Sequence, residues 1–199
     1  MKNAVTITTV FLLLFNFTFG QNSVKSEITL KPVSIQINLH ESKIAIKGTS
    51  TLHDWESRAK TSRASIVINN YMDAEIEQLN LSVDVANIKN VKGHKTMDKL
   101  TRKALKWEEF PQITYAFITG NVISNTAKEL KIKLVGNLTI AGKTNQISVV
   151  TTIDKSASSV TLKGEHKLKM TDYGVKPPKA LLGTVKTGDE ITIEFSIKF

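Results

Sequence analysis

The 199-residue chain has 41% hydrophobic and 23% charged residues, the composition of an ordinary globular domain, and Lys+Arg 27 against Asp+Glu 18 gives a net charge of +9. That excess is almost all lysine, because Arg58, Arg63 and Arg102 are the only arginines; the planar guanidinium fork that reads bases and grips phosphates is scarce, which argues against nucleic acid as a partner. Cysteine is absent, which removes disulfides, thiolate nucleophiles and thiolate metal sites together.

Met1-Lys2-Asn3 leads into an uncharged run from Ala4 to Phe19, and Thr18-Phe19-Gly20 precedes polar Gln21. A short basic start, an apolar middle and small residues near a break predict a secretory signal peptide over residues 1–20, cleaved after Gly20, and a periplasmic or otherwise exported domain over residues 21–199. A membrane anchor needs about 20 apolar residues and a charged flank, whereas threonine and asparagine dilute this run. The mature domain loses one lysine and carries +8. No repeat or linker divides it.

Most of the mature chain alternates apolar and polar residues with period two, the mark of half-buried strands. Such segments run over Ser34–Leu39, Lys43–Lys47, Ala64–Asn69 and Leu79–Ala86, with Gly48 read as a bend or bulge. Between them and the next strand, Met97, Leu100, Ala104 and Trp107 fall at helical spacing and predict one amphipathic helix over His94–Trp107, ended before Pro111. Further strands run over Ile113–Ile118, Leu130–Ile140, Ile147–Ile153, Val160–Met170 and Ile191–Phe199, with a turn at Ala141-Gly142-Lys143-Thr144.

Eight or nine antiparallel strands with one helix leave an all-β sandwich or a closed barrel. Eight strands close around room for one small ligand. An outer-membrane barrel is disfavoured, because the four Phe, two Trp and three Tyr after residue 20 cannot furnish two aromatic girdles. Ile44, Ile46, Leu81, Val83, Tyr115, Phe117, Leu134, Leu138, Leu168, Phe195 and Ile197 share the inward parity and bring no charge with them. Such a lining suits a hydrocarbon, although the pattern alone is equally that of a filled core. Burying about ten methylenes is worth roughly 8 kcal/mol before association costs.

Several stretches, in this order, resemble the YceI-like family: Thr51-Leu52-His53-Asp54-Trp55; Lys95-Thr96-Met97-Asp98 through Leu105-Lys106-Trp107-Glu108-Glu109-Phe110-Pro111; Gly136-Asn137-Leu138-Thr139-Ile140-Ala141-Gly142; and Met170-Thr171-Asp172-Tyr173-Gly174-Val175. The resemblance implies an exported, lipocalin-like antiparallel β-barrel with the helix inserted. It implies a long polyisoprenoid or isoprenoid quinone held in the barrel for storage or transport, not catalysis. Where many members carry an Arg-Ser-Asp-Phe-Gly-type stretch, this chain has Lys169-Met170-Thr171-Asp172-Tyr173-Gly174, without the arginine that would anchor a polar head.

Parity, the helix stripe and the resemblance together designate Ile44, Ile46, Trp55, Leu81, Val83, Leu100, Trp107, Tyr115, Phe117, Leu134, Leu138, His166, Leu168, Tyr173 and Phe195 as the ligand-binding set. His166 falls on the inward parity, where a neutral imidazole needs a hydrogen bond from a neighbour or a ligand head. Trp55 either packs on the ligand at a strand end or forms a structural corner. No catalytic residue, metal or cofactor is expected: no pair has His-x-x-x-His spacing, Glu108-Glu109 diverge, and nucleophile-elbow and phosphate-loop motifs are missing. An enzyme acting on a small apolar substrate and a filled-core protein-interaction module remain the alternatives. Between Lys89 and Lys106 seven basic residues face one acid, Asp98, and this face could rest on an anionic membrane surface or simply be solvated. A homodimer is left open.

Overall fold

The computed structural model describes residues 33–36, 41–59, 62–70, 75–155 and 161–198; the predicted leader lies outside them, as do residues 37–39 of the first predicted strand. The order is β1 (Val33–Gln36), β2 (Lys43–Ser50), β3 (Trp55–Ala59), β4 (Ser62–Asn70), β5 (Glu75–Asp84), β6 (Ile88–Asn90), α1 (Lys95–Ala104), β7 (Gln112–Asn125), β8 (Glu129–Ile140), β9 (Lys143–Asp154), β10 (Thr161–Lys169), β11 (Lys179–Ala180) and β12 (Val185–Lys198). Each predicted strand has its counterpart, and β3, β6 and β11 are additional. They are two to five residues long, too short to show a period, and exist because their partners recruit them.

The strands form one antiparallel sheet in the order β1-β4-β5-β7-β8-β9-β10-β12-β2-β3-β6, with β11 beside β12. β5 and β6 are a single run of chain interrupted by the 3-10 turn Val85–Asn87. β5 pairs with β7 and β6 pairs with β3, so the hydrogen-bonded path that leaves β5 returns to the same run at β6. The sheet therefore curls through β5–β6, β7, β8, β9, β10, β12, β2 and β3, eight passes, into a lipocalin-like barrel. Among the described residues no helix is long and apolar enough to cross a membrane.

β8 shows why the wall forms. Leu130, Ile132, Leu134, Gly136, Leu138 and Ile140 are buried while Lys131, Lys133 and Asn137 are exposed, as period two requires of a sheet with one face in a core. The hairpin to β9 turns at Ala141 and Gly142, φ 47° and 79°, the paired left-handed residues that suit the twist of a two-residue hairpin. Where β8 and β10 begin and β9 ends, the barrel is solid, with Ile66, Leu79, Leu130, Ile132, Ile153 and Leu162 in one cluster. Each such side chain contributes about 1.5–3 kcal/mol by leaving water.

At the other end lies α1, shorter than predicted because the chain turns through Lys106 at φ 51°. Asp98 Oδ1 accepts the Asn90 N–H at 2.7 Å, and Asn90 Nδ2 donates to the Glu56 carbonyl at 3.0 Å, which fastens the helix to β6 and β3. Gly48 is not itself a bulge: it pairs regularly with Trp55, and the register shift lies on β12 between Thr187 and Ile191. A Cβ at Gly48 would meet Trp55 Cζ2 at 2.4 Å, so glycine is there to admit the indole, whose Nε1 donates to the Thr49 carbonyl at 3.0 Å. Gly48→Ala is expected to cost about 1–3 kcal/mol and to shift the Trp55 emission measured in a Trp107→Phe background; unchanged emission and stability would show that the indole has room to spare.

Candidate functional site

Beneath α1 the barrel is hollow. A cavity of about 610 Å³ is walled by Ile46, Ile113, Ile140, Leu168, Ile191 and Ile193 from the strands, by Met97, Leu100 and Ala104 from the helix, and by Met170, Tyr173 and Val175. Among the described residues Lys95 is the one fixed charge on its lining, and no carboxylate reaches it. Three of the four residues of the apolar stripe read from the sequence, Met97, Leu100 and Ala104, thus form the helix's cavity face.

Local chemistry holds this wall in place. Residues Met170–Tyr173 form a 3-10 turn closed by Gly174 at φ 69°, a conformation that favours glycine. The Asp189 carboxylate accepts the Thr171 N–H at 2.9 Å and the Thr171 hydroxyl at 2.6 Å. These bonds hold the Asp189 pKa below its usual value. Asn145 Nδ2 donates to the Asp172 carbonyl at 3.0 Å. Tyr173 and Val175 are thereby set into the wall, and burial raises the Tyr173 pKa.

The mouth lies between two loops. Ser50 Oγ donates to the His53 carbonyl at 2.7 Å and accepts the His53 N–H at 3.2 Å. Thr51 N–H donates to the Lys186 carbonyl at 2.9 Å, and the Lys186 N–H returns to Thr51 Oγ1 at 3.1 Å. Leu52, His53, His94 and Leu181 stand exposed along the opening.

A second, inner chamber of about 100 Å³ is lined by Leu81, Leu134, Leu138, Phe195 and Ile197, together with Tyr115, Thr151 and His166. Ile193 lines both spaces. Thr151 Oγ1 donates to the Ile132 carbonyl at 3.2 Å, whereas Tyr115 Oη is enclosed without a partner. Burial pushes the Tyr115 pKa up to about 12 and lowers that of His166, since each charged form loses hydration.

The predicted binding set therefore divides. Ile46, Trp55, Leu100, Leu168 and Tyr173 line the outer cavity, and Leu81, Tyr115, Leu134, Leu138, His166 and Phe195 the inner chamber. Ile44 and Val83 do not line either: they are packed with Ala59, Ile88 and Ile197, because the kinked β5–β6 run carries Ile88 across them. Phe117 packs against the solid end. Trp107, 39% exposed, lies beyond the last turn of α1 and off its stripe. The parity that selects Leu138 and Phe195 also selects Ile140, Ile191 and Ile193. Met170 ends the alternation of its predicted strand and, like Val175, belongs to the motif Met170–Val175, yet neither is in the predicted set; Leu181 sits in a turn without a period, where no sequence signal marks it. Among the described residues no three His, Cys, Asp or Glu side chains gather as metal ligands.

A family model described as the YceI-like domain matches residues 18–199. Among solved structures, the fold is similar to Burkholderia cenocepacia BcnA, with TM-score 0.67, 19% identity, and coverage of 82% of this chain and 99% of that one. It is also similar to a polyisoprenoid binding domain from Saccharophagus degradans implicated in plant cell wall breakdown, with TM-score 0.64, 11% identity, and coverage of 84% and 98%. A third similar structure is the Campylobacter jejuni YCEI protein, with TM-score 0.58, 20% identity, and coverage of 72% and 82%. At these identities the likeness is one of fold. No curated protein matches the chain.

The buried phenol makes the barrel sensitive to alkali. An unfolded tyrosine titrates near 10 and Tyr115 near 12, so between those values the unfolded chain has shed a proton that the folded chain keeps, and stability falls as pH rises. Urea midpoints measured from pH 10 to 12 are expected to fall more steeply for the wild type than for Tyr115→Phe; parallel slopes would show that the phenol is not buried.

Proposed function

We propose, for a chain that belongs to the YceI-like family, that it is an exported lipid carrier which holds a polyisoprenoid or isoprenoid quinone in the hollow end of its barrel. The observation that carries this reading is the cavity of about 610 Å³ whose walls are mainly hydrocarbon and whose one fixed charge among the described residues, Lys95, is exposed to solvent. Each methylene moved from water into such a space gains about 0.8 kcal/mol, so a long chain can be held without a polar contact. The likeness to a polyisoprenoid binding domain supports the ligand class.

A cavity of this size disfavours a filled-core interaction module. Among the described residues the lining offers no carboxylate to serve as acid or base, and its histidines, His53 and His94, stand exposed at the opening rather than within the cavity, which favours holding a ligand over transforming it. The leader-like residues 1–20 support export to the periplasm or beyond. Ala104 faces the cavity from α1, and Ala104→Trp fills it without adding charge. Protein purified from cells is expected to yield prenyl lipid in mass spectra of organic extracts, and folded Ala104→Trp to yield roughly tenfold less; empty wild-type spectra, or equal loading of the variant, would defeat the carrier reading.

The mouth, in this reading, meets an anionic membrane surface, where lipid is exchanged. Leu52 is 68% and Leu181 72% exposed, and Leu182 is exposed throughout. Leu181 and Leu182 hold φ of 48° and 56°, a left-handed backbone that costs a leucine energy and is kept where the fold over-determines it. Lys176, Lys179 and Lys186 flank these tips, and Lys95, Lys99, Lys103 and Lys106 are exposed along the α1 segment. Among the described residues none of these lysines is in a salt bridge. Near an anionic surface each contributes about 1 kcal/mol. Sedimentation with phosphatidylcholine/phosphatidylglycerol vesicles is expected for the wild type, weakening with salt, and to be lost in Leu181→Asp/Leu182→Asp while extractable lipid is retained. Undiminished sedimentation of the double variant would refute this docking.

A further inference from the structure

The inner chamber holds two polar groups for which the barrel has no use. Among the described residues Tyr115 Oη and Ser82 Oγ are the enclosed side-chain atoms without a hydrogen-bond partner, and Ser82 lines neither cavity. Tyr115 does line one, from β7. His166 faces the same chamber from β10, and burial alone, without any hydrogen bond or neighbouring charge, accounts for its lowered pKa. The rest of the lining is hydrocarbon, apart from Thr151, whose hydroxyl is taken by a backbone carbonyl. A buried hydroxyl left unpaired is a standing loss to the folded state, and such groups in native proteins usually have a use.

We propose that the inner chamber is the anchoring site for the uncharged polar head of the lipid. A carbonyl oxygen of the kind a quinone carries accepts the Tyr115 O–H and meets the His166 ring, while the isoprenoid tail runs past Ile193 into the outer cavity. This rests on the lipid-carrier reading above and adds to it the class of headgroup and the direction of entry. The chamber's size agrees: an enclosed water needs roughly 10–15 Å³ of such space, so about 100 Å³ has room for a ring-sized head and not for a long chain. The electrostatics agree as well. Tyr115 keeps its proton at neutral pH and can donate, and neutral His166 donates or accepts according to its tautomer. No lysine, arginine or carboxylate lines the chamber, so a phosphate head would be buried there without a counter-charge, at a prohibitive cost. A phosphate-headed lipid would have to sit the other way round, with its charge at Lys95 on the rim. The outer cavity alone accepts any apolar chain, and the chamber behind it selects by head.

The test compares delipidated wild type, Tyr115→Phe and His166→Leu, each titrated with a short-chain ubiquinone and with a saturated isoprenoid hydrocarbon of equal length. The expected result is that Tyr115→Phe weakens the quinone roughly tenfold, the value of one good hydrogen bond, and leaves the hydrocarbon unchanged. His166→Leu is expected to weaken the quinone in the same direction. The ligand-free Tyr115→Phe protein is expected to melt no lower than the wild type, because it has lost an unpaired hydroxyl and no packing. A merely structural tyrosine would lower the melting temperature and weaken both ligands alike, and that result overturns the proposal. So does an unchanged quinone affinity, which would leave the chamber to water. If the wild type binds neither ligand, the carrier reading itself has failed.

Discussion

Along the inner wall of the barrel, Trp55, Tyr115 and Phe195 press against Gly48, Gly136 and Gly164, so closely that a Cβ on any of the three glycines would lie 2.4–2.5 Å from a ring atom. All three glycines stand at inward positions of their strands, where the period would otherwise place a branched aliphatic side chain. An aromatic ring is a large apolar body, and a ring reaching across the lumen would fill it. Seated in the gap left by a missing side chain, the ring becomes part of the wall. The volume a ligand needs is created by subtraction, one side chain at a time, in a sheet that otherwise follows the ordinary rules of burial.

That device works because the barrel is filled unevenly along its axis. The solid end concentrates Ile66, Leu130, Ile132 and their neighbours, and supplies the stability that the hollow end gives up. The hollow end is bordered by Leu138, Ile140, Leu168, Met170, Tyr173 and Val175. Polar groups compensate locally: Asp189 grips Thr171, Asn145 grips the Asp172 carbonyl, and Asp98 and Asn90 tie α1 to the wall. Each of these contacts lies outside the cavity lining.

Charge is arranged on the same plan. Lysines stand on the outside of strands, along the helix segment and around the mouth, and the interior keeps only groups that can stay neutral. Burial favours the neutral phenol of Tyr115 and the neutral imidazole of His166. The result is a mainly apolar volume, with Lys95 among the lining of the outer cavity and the uncharged Tyr115 and His166 at the inner end.

The alternation of β8 or β10 is legible residue by residue, because period two follows from backbone geometry whatever the strand's partners. The stripe of α1 is legible for the same reason, and with the motifs shared with the YceI-like family these patterns carry the fold class and most of the cavity's apolar lining. Other features depend on where distant segments meet. Ile44 and Val83 have the same parity as Ile46 and Leu81, yet the first two are packed and the other two line open space, because Ile88 arrives from a three-residue strand that only β3 can call into existence. Trp107 continues the helical spacing of Leu100 and Ala104, but the chain has turned at Lys106 before reaching it. Gly136 and Gly164 look in sequence like weak points of two strands, and only the rings of Tyr115 and Phe195, brought from other strands, show them to be what keeps the barrel hollow. Periodicity decides which side of the wall a residue faces; whether the space it faces is filled depends on what comes from elsewhere in the chain, and that is a property of packing alone.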